Sequence, residues 1–361
     1  MPTATTATAH SKSKDLPRRK KLPRQKQPSY WMLAGILQSL TWLFVIPFVC
    51  RRYIWDQLFG VLIEAYPSHG FNLSQLLMTV SLPPLVLVCY TLPMATIYAG
   101  QYPFFEKYKI HQSNMYHDYW PWFHADPNIR KEFWKLSQRS VRLCIFNMAV
   151  IVPLLTVLKL WFIDPYVLDA FYSERQKLYH NHMFSTSDEH WPSNSENLRG
   201  ILALTLIHEF GFYATHRLMH AIPFLHRYHK VHHEYKTNTV LAAQHNHPVD
   251  YVLSIAGPAL LSLTLVPASH SVTQFQWILW ALCANMDDHL GYAFPWSPVR
   301  WFPFASATEE HEFHHSHNKG CYSSKLSVYG SLLGDYGAYH RFYYSYDNKP
   351  SRASNTINKN Q

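Results

Sequence analysis

Long apolar runs separated by polar loops dominate the chain, and they predict membrane-spanning helices. A helix needs about 20 predominantly apolar residues to cross the hydrocarbon core of a bilayer. Three runs reach that length: residues 30–50, 73–99 and 141–163. The second run contains prolines, which a span tolerates when its neighbours satisfy the freed backbone groups. The first run follows a long basic tail and is too extended for a cleaved signal peptide, so we interpret it as a signal anchor.

Shorter apolar segments fill the second half of the chain. The segment 201–215 ends on a pair of histidines, and the segments 251–267 and 275–285 have the pattern of a hairpin that dips into the membrane or crosses it. Together with the three longer runs, they predict an all-α fold, namely a multi-pass transmembrane helical bundle.

Positive charge before the first apolar run predicts the orientation of the bundle. The formal net charge is +9, and residues 12–26 alone carry eight lysines and arginines. Basic residues mark the cytosolic side of a span, and the loop 101–140 is basic whereas the loop 164–198 is acidic. We therefore expect the N-terminus and the histidine-rich region to be cytosolic. A nucleic-acid binder is the alternative interpretation of the tail, but no recognisable nucleic-acid-binding module follows it.

The low content of charged residues is typical of a membrane protein, and the cysteine pattern argues against a disulfide framework and a thiolate zinc site. Only 15% of the residues are charged, against about 25% in soluble proteins. The mean hydropathy is −0.19, because histidines and polar tails lower the average. The five cysteines are scattered and include no Cys-x-x-Cys pair, so neither a disulfide framework nor a thiolate zinc site is indicated.

The spacing of the histidines is the feature of the sequence that indicates its chemistry. Thirteen of the 24 histidines lie between positions 216 and 315, most of them three or four residues from another. Residues with that spacing share one face of a helix, so each group is expected to aim its imidazoles at one point. Neutral imidazole suits iron, zinc, copper and nickel, which predicts a metal site with more than one ion. The three boxes are His216-Arg-Leu-Met-His220, His229-Lys-Val-His232-His233 and His311-Glu-Phe-His314-His315.

Two histidines outside the boxes have two interpretations. His247 lies in Gln-His-Asn-His-Pro, and His289 lies in Asp-His-Leu-Gly-Tyr. Each could be a structural histidine. Each also lies at the edge of an apolar segment, from where it could fold back onto the metal site.

The order of these motifs resembles the membrane fatty acid hydroxylase/sterol desaturase superfamily. The shared motifs are the three boxes, His-Pro at 247–248, His-x-Gly-Tyr at 289–292 and Phe-Pro-Trp-Ser at 294–297, and the resemblance covers about residues 200–340. Within the superfamily the chain is most similar to the C4-methylsterol oxidases, followed by cholesterol 25-hydroxylase-like enzymes.

The resemblance implies a non-haem di-iron centre, O2 as oxidant, and electrons from NAD(P)H through a reductase and cytochrome b5. It also implies an endoplasmic reticulum membrane enzyme in which a cytosolic helical cap holds the histidine-rich di-metal site. The ligands that it implies are His216, His220, His229, His232, His233, His247, His289, His311, His314 and His315. His208, His226, His245 and His317 flank the boxes and could orient ligand rings. Glu209 stands where the family often has Asp, and both a supporting role near the metals and helix capping are open to it.

Four regions are expected along the chain. They are a disordered basic cytosolic tail (1–28), N-terminal transmembrane helices and loops (29–198), a fatty acid hydroxylase-like catalytic domain (199–340) and a polar C-terminal tail (341–361). Two features depart from the family. The segment 333–337 only loosely resembles its closing Asp…Gly-Thr segment, and the C-terminus lacks the dilysine retrieval signal of some methylsterol oxidases.

The predicted function is the oxidation of a lipid, most similar to that of a C4-methylsterol oxidase. An unactivated C–H bond is too strong for acid–base chemistry, so metal and O2 must supply the reactivity. A hydroxylase or desaturase acting on another sterol, a terpenoid, a sphingoid base or a fatty acyl chain is the alternative. A non-enzymatic membrane metal protein is a distant one, because transport would need ionisable residues in mid-span and the histidines lie at segment ends. The expected partners are the lipid, the membrane and cytochrome b5 or a reductase, and no nucleic acid.

Overall fold

The computed structural model describes residues 70–110, 120–165, 191–266, 269–297, 299–301 and 304–344, with a few helical positions between 33 and 65. The predicted basic tail, nearly all of the first apolar run and most of the C-terminal tail lie outside the described residues. Within those residues the secondary structure is helical, and β pairing is confined to the isolated bridges Lys109–Tyr292 and Ala305–Leu326. The predicted all-α fold is confirmed.

The helices broadly follow the predicted apolar runs. In chain order they are α1 (Gly70–Gly100), α2 (Pro103–Glu106), α3 (Pro127–Ile163), α4 (Asn194–Ala221), α5 (Pro223–His229), α6 (Pro248–Leu265), α7 (Ser271–Asp288), α8 (Thr308–His317), α9 (Val328–Leu332) and α10 (Gly337–Tyr344). Short 3-10 turns occupy Pro121–Phe123, His232–Glu234, Val240–Gln244 and Val299–Trp301.

Three of these helices are long and apolar enough to cross a membrane. They are Asn72–Gly100 within α1, Pro127–Ile163 and Pro248–Leu265, and they indicate a membrane protein. Large apolar side chains point away from the bundle on these helices: Leu92 is 65% exposed and Phe162 is 68% exposed. Soluble monomers rarely expose such a surface, whereas hydrocarbon is a favourable solvent for it.

α3 begins earlier than the predicted span of 141–163. Pro127 occupies the first turn, where its missing N–H costs no hydrogen bond, and the Asp126 side chain accepts from the backbone N–H of Asn128 at 2.8 Å. Much of the region that the sequence predicted as a basic loop is therefore helix. The helix contains two π-helical stretches, Asn147–Ile151 and Lys159–Ile163.

α4 contacts α5, α6 and α7. It begins with a capping box, in which Ser193 Oγ accepts from the N–H of Glu196 at 3.3 Å and Glu196 accepts from the N–H of Ser193 at 2.9 Å. Its buried face contacts α6 and α7, through a core cluster that joins Leu204 to Leu263 and Trp277. An exposed stripe with a four-residue period covers the other face: Leu198, Leu202, Leu206 and Phe210.

Buried polar pairs lie within and between the apolar helices. Gln75 of α1 donates to the side-chain oxygen of Gln274 in α7 at 2.9 Å, and the Lys159 ammonium at the end of α3 lies 2.5 Å from the Asp164 carboxylate. Each pair satisfies groups that would be costly to leave unpaired away from water. The first pair fixes α1 against α7, and the second lies at the end of α3.

An aromatic cluster fixes the C-terminal end of α7. Trp120 Nε1 donates to Tyr292 Oη at 3.0 Å, and Tyr98 Oη donates to the carbonyl of Leu290 at 2.9 Å. Tyr98, Trp120 and Tyr292 are each at most 2% exposed. Because His289 directly precedes Leu290, this cluster determines where that histidine lies.

Candidate metal centre

Box one lies in the last turns of α4. His216 and His220 are one helical turn apart, and their ring centroids are separated by 5.2 Å. The chain turns at Ile222, and α5 begins with Pro223. This reversal brings the ring of His229 to 4.8 Å from the rings of both box-one histidines.

Box two is divided between two elements. α5 ends at His229, and a 3-10 turn holds His232 and His233. The rings of His229 and His233 are 4.7 Å apart. His232 points elsewhere, and its ring lies 5.3 Å from His289 and 4.5 Å from His315.

Box three occupies α8, which Asn318 ends in the left-handed conformation that asparagine tolerates better than most residues. The ring of His314 lies 4.6 Å from that of His216. On a neighbouring face of the same helix, the ring of His311 lies 4.4 Å from that of His289 and 4.8 Å from that of His315.

Nine of the ten predicted ligands are brought together in two clusters. Within each cluster the candidate ligand nitrogens lie within 4.8 Å of one another. The first cluster is His216, His220, His229, His233 and His314; the second cluster is His232, His289, His311 and His315. The clusters adjoin, since the rings of His233 and His315 are 4.8 Å apart. Eight of the nine residues are buried, and His220 is half-buried.

The helical spacing predicted that the rings of each box converge on one point, but those of boxes two and three do not. In both boxes the two histidines four residues apart enter one cluster, and the remaining histidine enters the other. Successive helical residues differ by about 100° around the axis, so His232 and His233 cannot point the same way. The boxes therefore interleave.

Backbone carbonyls orient several of these rings through Nδ1. His216 donates to the carbonyl of Tyr322 at 2.9 Å, and His314 donates to that of Gly320 at 2.7 Å. His289 donates to the carbonyl of Asn285 at 2.8 Å. A carbonyl can only accept, so each of these rings carries its proton on Nδ1 and turns a bare Nε2 lone pair toward its cluster.

The orientation of the rings fits a bound cation in each cluster. Nε2 of His216 and Nε2 of His315 are buried and have no hydrogen-bond partner among the described residues. In the second cluster, Nε2 of His311 lies 2.9 Å from Nε2 of His289. Converging lone pairs repel one another, and a buried unpaired acceptor is costly. A metal ion that favours imidazole would satisfy both requirements.

Burial keeps the clusters neutral, which is the state that binds metal. Desolvation, with a smaller contribution from the neighbouring His229, lowers the pKa of His216 to about 3, and desolvation lowers that of His289 to about 4. Desolvation also lowers the pKa values of His314 and His315 well below the ordinary value. Protonated imidazolium cannot coordinate a metal, so these shifts leave the lone pairs available near neutral pH.

His247, the tenth predicted ligand, lies in neither cluster. Its Nδ1 accepts from the backbone N–H of Val249 at 3.2 Å, which caps the start of α6, and its ring lies 4.8 Å from that of Tyr228. The flanking histidines also lie outside the clusters. His245 is fully buried and contacts Ser140 and Glu234, and the ring of His317 stacks on Phe313 at 4.3 Å.

Two carboxylates support the site: the sequence pattern allows two roles for one of them, Glu209, and gives no signal for the other, Asp250. Asp250 Oδ1 accepts from Nδ1 of His229 at 2.9 Å. Glu209 is fully buried and accepts from the backbone N–H groups of Lys325 at 3.0 Å and of Leu326 at 3.1 Å. Glu209 thus anchors the loop whose Tyr322 carbonyl orients His216. The pattern of the boxes gives no signal for Asp250, which lies on a different helix.

A small cavity borders both clusters. Its volume is about 20 Å³, enough for roughly one water-sized group. Phe212 and Ile255 form the apolar part of its wall, and His216 and His289 represent the two clusters. It also contacts polar side chains: Asn246, Ser254, Asn285, Asp288, Ser324 and Lys325.

Comparison with known proteins agrees with this geometry. The family model for fatty acid hydroxylases matches residues 201–335, which include both clusters. Residues 201–335 thus match a fatty acid hydroxylase domain. The family inferred from the histidine boxes is confirmed. The match extends to Asp335, whose carboxylate lies 3.5 Å from the Arg217 guanidinium.

The chain is similar to proteins whose names describe enzymes that act on lipids. It is 34% identical to a C-4 methylsterol oxidase of Schizosaccharomyces pombe over 36% of this chain and 44% of the relative. It is 27% identical to a putative methylsterol monooxygenase of Dictyostelium discoideum over 72% of this chain and 81% of the relative. It is 31% identical to a very-long-chain aldehyde decarbonylase of Oryza sativa over 37% of this chain and 50% of the relative. No solved structure matches the chain.

Proposed function

We propose that the chain is a membrane-bound non-haem di-iron oxygenase that oxidises a lipid, with a sterol methyl group as its substrate. One observation carries the proposal: nine imidazoles form two adjoining clusters beside a cavity, in a protein whose helices suit a bilayer. The names of the methylsterol-oxidising relatives support the sterol methyl group as the target.

The two clusters would each hold one iron ion through imidazole nitrogens. Imidazole suits iron, and neither cluster contains a carboxylate or a thiolate among the described residues. Iron held there would supply the reactivity toward O2 that amino-acid side chains lack. The chain itself supplies the buried, neutral rings, the carbonyl and carboxylate contacts that orient them, and an environment that excludes bulk water.

The cavity is where the reacting carbon would lie. It touches histidines of both clusters, and Ile255 on its wall belongs to α6, one of the helices suited to a membrane. A lipid that enters sideways from the bilayer could bring its carbon to the metals while the rest of the molecule stays in an apolar environment.

Hydroxylation requires electrons from elsewhere. Each round consumes O2, two electrons and two protons, and it yields one hydroxyl group on the substrate and one water. We propose NAD(P)H as the source, through cytochrome b5 or a reductase, at a cytosolic face of the endoplasmic reticulum membrane. The basic loop residues that the positive-inside rule assigns to the cytosol support this orientation.

A desaturase or a hydroxylase of another lipid is the second candidate. One similar protein is named an aldehyde decarbonylase, so the names of related proteins include lipid reactions other than sterol oxidation. Hydroxylation and desaturation begin with the same removal of hydrogen, so the ligand geometry serves both.

Lipid mass spectrometry of expressing cells under ¹⁸O2 tests the proposal. We expect an ¹⁸O-labelled sterol that is absent from cells expressing His314→Ala. His317→Ala is the matched control, because His317 lies on the same helix but stacks on Phe313 outside the clusters. A lipid lighter by two hydrogens, without label, would favour the desaturase. No difference between wild type and His314→Ala would contradict an oxygenase.

A further inference from the structure

A buried lysine lies on the wall of the cavity beside the metal clusters. Lys325 is 5% exposed and lines the cavity together with histidines of both clusters. Burying an amino group is costly unless its donors find acceptors. The side chain therefore needs a reason to lie there that packing alone does not provide.

The backbone holds Lys325 in this position firmly. Its N–H donates to both carboxylate oxygens of Glu209 at 3.0 Å, and the next N–H, of Leu326, donates to Glu209 at 3.1 Å. Glu209 belongs to α4, the helix that also carries His216. The position of the lysine is thus tied to the position of the metal ligands.

The Lys325 amino group keeps capacity for another acceptor. Its Nζ donates to Ser324 Oγ at 2.6 Å, and it lies 5.8 Å from the centre of the Phe212 ring. An ammonium has three N–H donors and a neutral amine has two, so a donor is left in either form. Burial lowers the pKa of Lys325, and the neighbouring carboxyl groups of Asp288 and Glu209 oppose that shift.

The size of the cavity limits what that donor can meet. The space accommodates roughly one small group, and it touches both clusters. The part of a substrate that reaches it is therefore the carbon under attack and whatever is bonded to that carbon. A methyl group offers Lys325 no acceptor, whereas a hydroxyl or carboxylate on the same carbon does.

We propose that Lys325 is a positioning residue that donates a hydrogen bond to the oxygen placed on the substrate carbon by the first hydroxylation. This inference rests on the proposed function and extends it. The hydrogen bond holds the alcohol at the metals, so that a second and third round can proceed before the alcohol leaves. Each later round again consumes O2, two electrons and two protons; the second converts alcohol to aldehyde with two waters, and the third converts aldehyde to carboxylic acid with one water.

Binding to the metal-depleted protein in detergent tests the hydrogen bond without turnover. The probes are a 4-methylsterol, its 4-hydroxymethyl analogue and its 4-carboxy analogue. We expect wild type to bind both oxygenated sterols about tenfold more tightly than the methylsterol. A roughly tenfold difference in affinity corresponds to the free energy of one charge-assisted hydrogen bond. Lys325→Met, which keeps the length of the side chain, should bind all three alike, and Lys325→Gln should retain part of the preference.

One control variant and one independent readout make the outcome decisive. Lys319→Met removes an exposed lysine from the same loop region and should leave the preference intact. The iron-loaded enzyme supplies an independent readout, because Lys325→Met should release alcohol where wild type releases acid. Equal preference in wild type and Lys325→Met, or an unchanged product ratio, would overturn the role of Lys325 while leaving a sterol oxygenase intact. Failure of wild type to bind any of the three sterols would instead contradict the proposed function, and with it the inference.

Discussion

His229 Nδ1 lies 2.9 Å from Asp250 Oδ1, and both residues are buried. The carboxylate accepts a hydrogen bond from Nδ1–H of His229. This contact turns Nε2 of His229 toward the first cluster, where it lies 3.0 Å from Nε2 of His233. Asp250 is itself held by the Ser254 hydroxyl at 2.7 Å. One histidine of box two, at the end of α5, is therefore oriented by a residue of α6, one of the helices suited to a membrane.

Removing this carboxylate should weaken metal binding without removing a ligand. We expect Asp250→Ala to lower metal affinity about 10–100-fold, the usual effect of losing a group that orients a metal-binding histidine. Asp250→Asn should have a smaller effect, because an amide oxygen still accepts from Nδ1. Metal content after dialysis against graded chelator measures the difference. Asp126→Ala, at an exposed helix cap, is the control, and equal metal retention in it and in Asp250→Ala would show that the orienting contact has no influence.

Adjacent histidines of box two should affect different metal ions. His233→Ala removes a nitrogen of the first cluster, and His232→Ala removes one of the second. Each single variant should lose about one of two bound ions, and the double variant should lose both. The pair His233→Ala with His314→Ala stays within the first cluster and should lose only about one. Metal-to-protein ratios decide the matter, and equal losses in the two double variants would contradict the division into clusters.

The sequence predicted this site well where local helix geometry controls it. Box one lies at the end of a regular helix, so the four-residue spacing of His216 and His220 was sufficient to predict that their rings share a face. The exchange of rings between boxes could not be predicted, because it depends on the break after His229 and on how α8 lies against α4 and the 3-10 turn His232–Glu234. Lys325 and Asp250 reach the site through contacts between distant segments, which no local spacing encodes.

At His247, the role implied by the family resemblance differs from the position in the structure. The resemblance makes it a ligand, whereas the structure places it at the start of α6 with its Nδ1 occupied by a backbone N–H. We expect His247→Ala to keep its full metal content and to lose some stability, about 1 kcal/mol for a removed helix cap. His289→Ala, at the other histidine outside the boxes, should lose about one ion. Metal loss of the same size in His247→Ala would show that the bound state recruits this ring.

Glu209 should stabilise the loop that follows box three. Its carboxylate accepts from two backbone N–H groups, and Glu209→Gln places an amide NH2 where one of the accepting oxygens was. We expect a loss of about 2 kcal/mol in the free energy of unfolding, as for a buried hydrogen bond to a charged group. Hydrogen exchange at the amides of Lys325 and Leu326 should accelerate in parallel.

The control for that experiment is an exposed glutamate. Glu132 pairs with Lys135 at 2.9 Å, with both side chains more than half exposed, so Glu132→Gln should change stability by less than about 1 kcal/mol. If Glu209→Gln were equally mild and its loop amides exchanged at the wild-type rate, the anchoring role of Glu209 would be wrong.

Acid should destabilise the metal-depleted protein. Burial lowers the pKa of His216 to about 3 and of His289 to about 4, and it lowers the pKa values of six further cluster histidines in the same direction. The unfolded chain takes up these protons near pH 6.5, so it binds more protons than the fold as the pH falls below that value. Stability should therefore decline from about pH 7 toward pH 4.

Buried carboxyls oppose this trend but are fewer. Desolvation raises the pKa of Glu312 to about 8 and that of Asp287 to about 6, and it raises the pKa of Asp288 as well. These groups hold protons in the fold that the unfolded chain has lost, which favours the fold as the pH falls. Eight histidines against three carboxyls leave the net slope positive, so the unfolding temperature should be lower at pH 5 than at pH 7.5. An unfolding temperature that is equal or higher at pH 5 would mean that the cluster histidines are protonated in the metal-free fold.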